Sequence, residues 1–458
     1  MKFEIYHLDI QKNKYFKSMS DNFDEIGKIK VCTDSRHIET DEWFLPIVGE
    51  SFDGHKFIDG LKDKCAGVLL NEHHEIASNL SHENWIKVED TTKFFQECGR
   101  LAIDRFKERG GIVVGLTGSN GKTTNKEYLY SIFDGLLPGK VYATHGNFNN
   151  HLGVPFCCLS IKDQHEFAIL EMGTNHFGEI EILASIGKPD VGFITNIGDA
   201  HLEFLINREG VLREKRAIYD FVVANSKQPF RFLINGKDVL LNTLAVGEGI
   251  KNSKGLIDIE TNHVILKHGE SPKLIKNENI FGKINLYNLG FVSLLLIYMF
   301  PEREKEVLDL ACKVRPPENN RSTWKTWKNK KVFLDAYNAN PSSMSASLES
   351  FTDHCLAQKK HCGKVLFILG DMKEIGEQSA LKHQEIGQQL YKFFENYKEA
   401  NAIFVGEFAN DYKSGIGSYS NAVKTYDKAS DVELSLMDDV QTIFVKGSRS
   451  VQLETLFS

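Results

Sequence analysis

Lys122 and Thr123 sit near the end of the stretch GLTGSNGKTT (115–124), after the apolar IVV and before NKEYLYSIF. Gly118 and Gly121 let the backbone turn tightly and aim N–H groups at an anion. A helix beginning near Lys122 adds its positive N-terminal dipole. Lys122 can reach terminal phosphate oxygens, and the Thr123 hydroxyl can ligate Mg²⁺. The standard phosphate-loop spacing is not met, because Leu116 stands where a glycine is required. Strand, glycines, Lys-Thr and helix still coincide. Thr117, Gly118, Ser119, Asn120, Gly121, Lys122, Thr123 and Thr124 therefore read as a nucleotide site of shorter spacing rather than an incidental turn.

Other residues are more ambiguous on their own. Glu171 ends the run FAILE, and its carboxylate suits Mg²⁺, which prefers oxygen ligands; alone it reads more readily as a solvated strand-end acid, and its place one strand after the phosphate loop reverses that. His201 follows FITNIGDA, and an imidazole in that place is ordinarily a surface or capping residue. Lys215 is one base in a charged helix beside Arg213 and Arg216. Asn147, Asn149 and Asn150 are, by composition, a polar loop. The stretch FGKINLYNLGFVSLLLIYMF (281–300) predicts a helix with an apolar face, stopped by Pro301. Asn285 and Asn288 lie three apart near its start, where two carboxamides can read an adenine edge or Asn285 can cap the helix.

These residues fall just after apolar runs, and the runs define the architecture. From 109 to 320, GIVVGLTG, KVYATHG, FAILEMG, VGFITNIG and RFLING alternate with helical stretches, the pattern of a parallel sheet built from βαβ units. A second series follows in KVFLDAY, GKVLFILGD, NAIFVG and QTIFVKGS. RPPENNRS (315–322) reads as the linker between them. Residues 1–108 mix short strands such as KCAGVLL and NWIKVED with turns. The expectation is an α/β protein of three domains, 1–108, 109–320 and 321–458, with chemistry at the carboxyl ends of the strands.

A chain of 458 residues exceeds one ordinary core. With 41% apolar and 26% charged residues and a formal net charge of −7, it has no basic stripe for nucleic acid. VSLLLIYMF (292–300) is too short to cross a bilayer, and the N-terminal stretch has no apolar core of a secretion signal. Eight scattered cysteines without CxxC spacing read as reduced cytosolic thiols, predicting a cytoplasmic location.

The motif TGSNGKTT resembles the phosphate loop of the Mur ligases, ATP-dependent amide-forming enzymes of peptidoglycan precursor synthesis. The resemblance continues in order through GNFNNHLGVP (146–155), EMGTNHFGEI (171–180), NIGDAHLEFL (196–205), DAYNANPSSM (335–344), GDMKEIGE (370–377) and VKGSRS (445–450). TDSR (33–36) and GESFDGHKFI (49–58) resemble the uridine-nucleotide-binding first domain of the branch that joins D-alanyl-D-alanine to a UDP-N-acetylmuramoyl tripeptide. The resemblance implies a small mixed α/β first domain, a central parallel-sheet phosphate-loop ATPase domain and a Rossmann-like last domain. It implies ATP with two Mg²⁺ ions, held by Thr123, Glu171, His201 and a Lys215 carbamylated by CO₂. Lys122, Glu171, His201 and Lys215 then form the catalytic set, Asn285 and Asn288 face adenine, Arg321 lies near phosphates and Asp335 near ribose. Ser35 and Arg36 meet the uridine nucleotide. Asn147, Asn149 and Asn150 approach the muramoyl peptide, while Tyr337, Asn338, Asn340, Lys446, Ser448 and Arg449 receive the dipeptide. The expected partners are these small molecules alone, with a monomeric chain and no membrane insertion.

Three readings compete with this one. The ligase that adds the third amino acid typically carries DNPR, which this chain lacks where it has YNANP and GDMKEIGE. Folylpolyglutamate synthase has no use for TDSR. From another class, a phosphate-loop NTPase switch or kinase would use the same loop without forming an amide.

Overall fold

The computed structural model describes residues 1–20, 27–49, 52–75, 82–260, 263–316 and 322–457. Its frame is three six-stranded sheets. In the middle one the strand order is Val141–Ala143, Phe167–Glu171, Ile112–Thr117, Val191–Ile194, Phe232–Ile234, Ile250–Asn252, with every neighbouring pair parallel. All five runs read from the sequence are strands. The chain builds one side of Ile112–Thr117 and then crosses to the other, so its carboxyl end is the switch point where a crevice must open.

Alternation along these strands explains why both faces are covered. Val114 and Leu116 join a core with the helix Lys122–Leu136, while Val113 joins the opposite core. A strand buried on both faces reads as a continuous apolar run, as IVVGL does.

Two features of the middle region depart from the sequence reading. Residues Ile257–Glu260, His263–Leu266 and Lys273–Lys276 form an antiparallel three-stranded sheet inside the segment expected to be purely parallel. The helix Lys283–Met299 was expected to bury one face. Instead Leu286, Tyr287 and every residue from Leu289 to Ile297 are buried, because the small sheet packs on the side expected to meet solvent. Such a helix loses its amphipathic signature and becomes a core element. Gly282 caps its start, so the alternative of Asn285 as cap does not hold.

The last sheet runs Thr323–Trp327, Lys330–Asp335, Thr442–Lys446, Val365–Gly370, Ala400–Val405, Val423–Tyr426; only the first pair is antiparallel. The first sheet is mixed, with Lys2–Tyr6 and Phe16–Met19 as antiparallel edges. The helix Thr91–Glu108 locks this sheet to the middle one. Its Gly99 lies so close to the helix Gly153–Leu159 that a Cβ would stand 2.7 Å from Pro155 Cα.

Candidate functional site

A cavity of about 1420 Å³ opens at the switch point and is walled by the middle and last sheets, with Val48 and Gly49 of the first region at its rim. Ser119 to Thr124 line it, as do Asn147, Asn149, Asn150, Glu171, His201, Asn285 and Asn288. From the last sheet come Asp335, Tyr337, Asn338, Asn340 and Lys446. Residues up to 327 positions apart in the chain that were singled out on type and spacing, Ser119 and Lys446 the most distant, thus share one space.

The phosphate loop is shaped by necessity. Gly118 has φ +153° and Gly121 φ +74°, and a Cβ on Gly118 would stand 1.8 Å from Thr195 Oγ1. The loop is laced to the strand end beside it. Ser119 N–H donates to Asn196 O, Asn120 N–H to Asn196 Oδ1, and Thr195 Oγ1 to Asn120 O. The helix begins at Lys122 as expected, and Lys122 Nζ donates to Gly118 O at 2.7 Å. Thr117 and Gly118 stand behind the loop and do not line the cavity.

Glu171 is 1% exposed, so it is no solvated strand-end acid. Its Oε1 accepts from Asn149 Nδ2 at 2.7 Å and Thr123 Oγ1 at 3.3 Å. Its Oε2 is buried and has no hydrogen-bond partner among the described residues. A carboxylate oxygen so placed lacks the compensation that burial demands. A cation ligated by Thr123 and Glu171 supplies it, so the donor set fits Mg²⁺.

Lys215 is fully buried, whereas its neighbours Arg213 and Arg216 are exposed. Its Nζ has no partner among the described residues, and burial, helped by the charge of Lys122, holds its pKa well below the usual lysine value. It lies outside the cavity lining. His201 adopts a left-handed conformation, φ +54°. Its Nδ1 stands 2.7 Å from Glu374 Oε2, in a geometry too bent to be a hydrogen bond. The imidazole and then Lys122 hold the Glu374 carboxyl below its usual range.

The remaining assignments are placed unevenly. Asn285 Nδ2 donates to Phe281 O, while Asn288 stands beside Gly121. Asn150 Oδ1 accepts from Leu152 and Gly153 N–H, so it holds the turn into the next helix as well as facing the cavity. Asp335 Oδ2 accepts from Lys446 Nζ at 2.6 Å and from Ser347, and its Oδ1 accepts from Ser322 N–H. Lys446, 2% exposed, is thus already neutralised by Asp335, and it also donates to Asn338 O. Asn340 caps the helix Pro341–Ala357 and also donates to Asn120 Oδ1 at 2.8 Å. Ser448 and Arg449 lie off the cavity lining; Ser448 Oγ accepts from Lys373 N–H, and the Arg449 guanidinium sits over the Tyr337 ring. Ser35 and Arg36 are also off it, with Arg36 bidentate on Asp34 at 2.9 and 2.8 Å. Arg321 lies outside the described residues.

Three contributors went unseen in the sequence. Lys126, 1% exposed, donates from Nζ to Thr144 O and Gly146 O, tying the phosphate-loop helix to the asparagine loop. Its place one turn after Lys122 was the available signal. Ser342 accepts from Asn120 Nδ2 at 2.7 Å across the cavity. Tyr287 OH donates to Asn235, whose Nδ2 reaches Thr195 O.

Comparison with known proteins places this architecture. Residues 116–295 match the Mur ligase middle domain, and 320–449 the glutamate ligase domain of Mur ligases. The chain is 31% identical to the UDP-N-acetylmuramoyl-tripeptide–D-alanyl-D-alanine ligase of Bacillus subtilis, over 78% of this chain and 76% of that one. A crystal structure of MurF from Acinetobacter baumannii superposes with a TM-score of 0.82 at 25% identity, covering 99% of this chain and 98% of that one. The MurF ligase of Thermotoga maritima in complex with ADP has the same fold, with a TM-score of 0.72 at 24% identity over 93% and 95% of the two chains.

Proposed function

The chain belongs to the Mur ligase family, and from that premise we propose that it is an ATP-dependent ligase joining D-alanyl-D-alanine to the terminal carboxylate of a UDP-N-acetylmuramoyl tripeptide. The observation that carries this reading is the single cleft in which the phosphate loop, a buried unpaired carboxylate oxygen and the polar strand ends of the last sheet converge.

In this reading residues 1–108 hold the UDP moiety through Ser35 and Arg36, 109–320 bind ATP, and 321–458 receive the amine. The γ-phosphoryl group of ATP passes to the tripeptide carboxylate, giving an acyl phosphate and ADP. The amine nitrogen then bonds to the acyl carbon, the C–O bond to phosphate breaks, and the nitrogen loses its proton. Lys122 turns from Gly118 O to the phosphates and stabilises charge in flight. Asn149 orients Glu171, and Asn147 stands exposed where the peptide end approaches. Asn285 and Asn288 meet the adenine. Tyr337, Asn338 and Arg449 meet the dipeptide. The contact of Asn120 with Asn340 and Ser342 brings the last sheet over the loop and excludes water from the acyl phosphate.

Two Mg²⁺ ions, held by Thr123, Glu171, His201 and a carbamate on Lys215, would neutralise the opposed anionic charges when bound. Lys215 suits that modification because burial favours its uncharged amine, the form that adds CO₂, its nitrogen bonding to carbon as a proton departs. The reading also entails a cytoplasmic monomer, in keeping with eight free thiols.

A panel crossing UDP-muramoyl tripeptides with D-alanyl-D-alanine and single amino acids tests it. Phosphate release tied one-to-one to amide formation, and only with the dipeptide, is the expected result. Turnover with a single amino acid instead identifies another ligase. A stable phosphorylated product identifies a kinase, and hydrolysis without either substrate identifies a switch.

A further inference from the structure

An amine of α-amino type, with a pKa near 8, reaches the cleft largely as a cation. Leaving water, that cation needs an anionic partner in the cleft to offset the hydration it gives up. Among the described residues six carboxylates line the cavity: Glu171, Glu179, Asp238, Asp335, Glu349 and Glu374. Four are committed. Glu171 accepts from Thr123 and Asn149 through Oε1, and its buried Oε2 is the oxygen already assigned to Mg²⁺. Glu179 accepts from the N–H groups of Asn175 and His176. Asp238 accepts from those of Ile197, Leu240 and Leu241. Asp335 is paired with Lys446.

Position separates the two that remain. Glu349 adjoins Ser350, whose side chain packs against Gly282 at the start of the helix bearing Asn285 and Asn288. That is the base end of the nucleotide. Glu374 is at the other end, 2.7 Å from His201, on the last sheet's side of the cavity. Its loop is fixed from behind, with Met372 N–H donating to His383 Nε2 and Lys373 N–H to Ser448 Oγ. Lys373 itself turns its ammonium toward Asp371, 3.5 Å away, rather than into the cleft. Glu374 holds φ +64°, a left-handed conformation uncommon outside glycine and asparagine and often found at binding sites. The side chain is only half covered, at 46% exposed. It is therefore reachable by a ligand, as the buried Asp335 is not.

We propose that Glu374 is the receptor for the ammonium group of the incoming amine, holding it on the last sheet's side of the cleft, opposite the phosphate loop. This assignment rests on the ligase reading and adds a residue to it. The carboxylate exchanges its approach to His201 for a charge-assisted hydrogen bond to the substrate nitrogen. It thereby sets where that nitrogen waits until the ammonium gives one proton to solvent and attacks as the free amine.

Glu374→Gln and Glu374→Asp, made in the full-length enzyme, test it through two readouts. One is the KM for D-alanyl-D-alanine. The other is trapping of the acyl phosphate by hydroxylamine, a neutral nucleophile that needs no anionic receptor. E374Q is expected to raise the dipeptide KM about tenfold, the loss of one charge-assisted contact. E374D should recover part of that loss, and hydroxamate yield with ATP and UDP-tripeptide should stay at the wild-type level in both. An unchanged dipeptide KM overturns the proposal. So does a parallel fall in hydroxamate, which would show Glu374 serving phosphoryl transfer through His201. If the wild-type enzyme traps no hydroxamate, the ligase reading itself falls and takes this assignment with it. If hydroxamate forms but the dipeptide is not joined, the choice of acceptor is what fails.

Discussion

The two walls of the cleft solve the problem of buried charge in opposite ways. On the middle-sheet side, Glu171 Oε2 at the wall and Lys215 Nζ behind it, off the lining, are buried without hydrogen-bond partners among the described residues. On the last-sheet wall, Lys446 and Asp335 neutralise each other at 2.6 Å, and Asn340 is spent on capping and on Asn120. An uncompensated buried charge costs stability and is retained where a ligand completes it. A closed pair contributes shape and orientation but draws no ion from solution. One wall is thus built to bind charge and the other to present a fixed surface, with Glu349 and Glu374 as its exposed carboxylates.

Removing the cation of the first wall should have the largest effect. K122A is expected to lower kcat for ADP formation by about 10³-fold or more, since the lysine serves charge that develops during transfer. Activity within tenfold of wild type would refute its place. Breaking the closed pair comes next. K446M strands Asp335 in a site that is 9% exposed, at a cost of about 3 kcal/mol in denaturant unfolding. Loss of dipeptide affinity without loss of stability would instead show that Lys446 belongs to the ligand-binding set.

Lys215 sharpens the contrast by its sign. In CO₂-free buffer K215M should stabilise the chain by about 2 kcal/mol, because an unpaired buried amine is removed, while abolishing turnover. The folded pKa of Lys215 lies below the ordinary 10.5, so between those two values the unfolded chain binds the extra proton. Stability of the wild type therefore rises with pH across that interval, and the advantage of K215M shrinks toward pH 10.5. Bicarbonate should restore activity to CO₂-depleted wild type and do nothing for K215M; indifference of the wild type would argue against a carbamate. The smallest effect is expected from S342A, which removes one bond between the walls, about 1 kcal/mol. It should raise the KM for ATP less than about fivefold and leave unfolding nearly unchanged.

Local chemistry made much of this legible. The phosphate loop, the five middle strands and the later four all follow from residue type and period, because apolar runs and glycine turns carry their own signals. What escaped depends on distant partners. No pattern around Asn120 announces Ser342, 222 positions away. The helix Lys283–Met299 looked one-sided because its second cover, the small antiparallel sheet, is a tertiary fact. Lys446 and Arg449 looked equivalent as cations in one loop, yet one is sealed against Asp335 and the other is exposed. Lys215 was distinguishable from Arg213 and Arg216 only through family resemblance, although helical period places it on the inward side.

The lacing of Ser119 and Asn120 to Thr195 and Asn196, with Gly118 pressed against the Thr195 hydroxyl, has a consequence for how a nucleotide is greeted. A mould already set loses little disorder on filling, so almost none of the attraction is consumed in tightening it. What remains is the meeting of opposite charges, which mobile ions in the surrounding water can blunt. Nucleotide affinity should accordingly weaken steadily as salt is added, while the heat-capacity change of binding stays small.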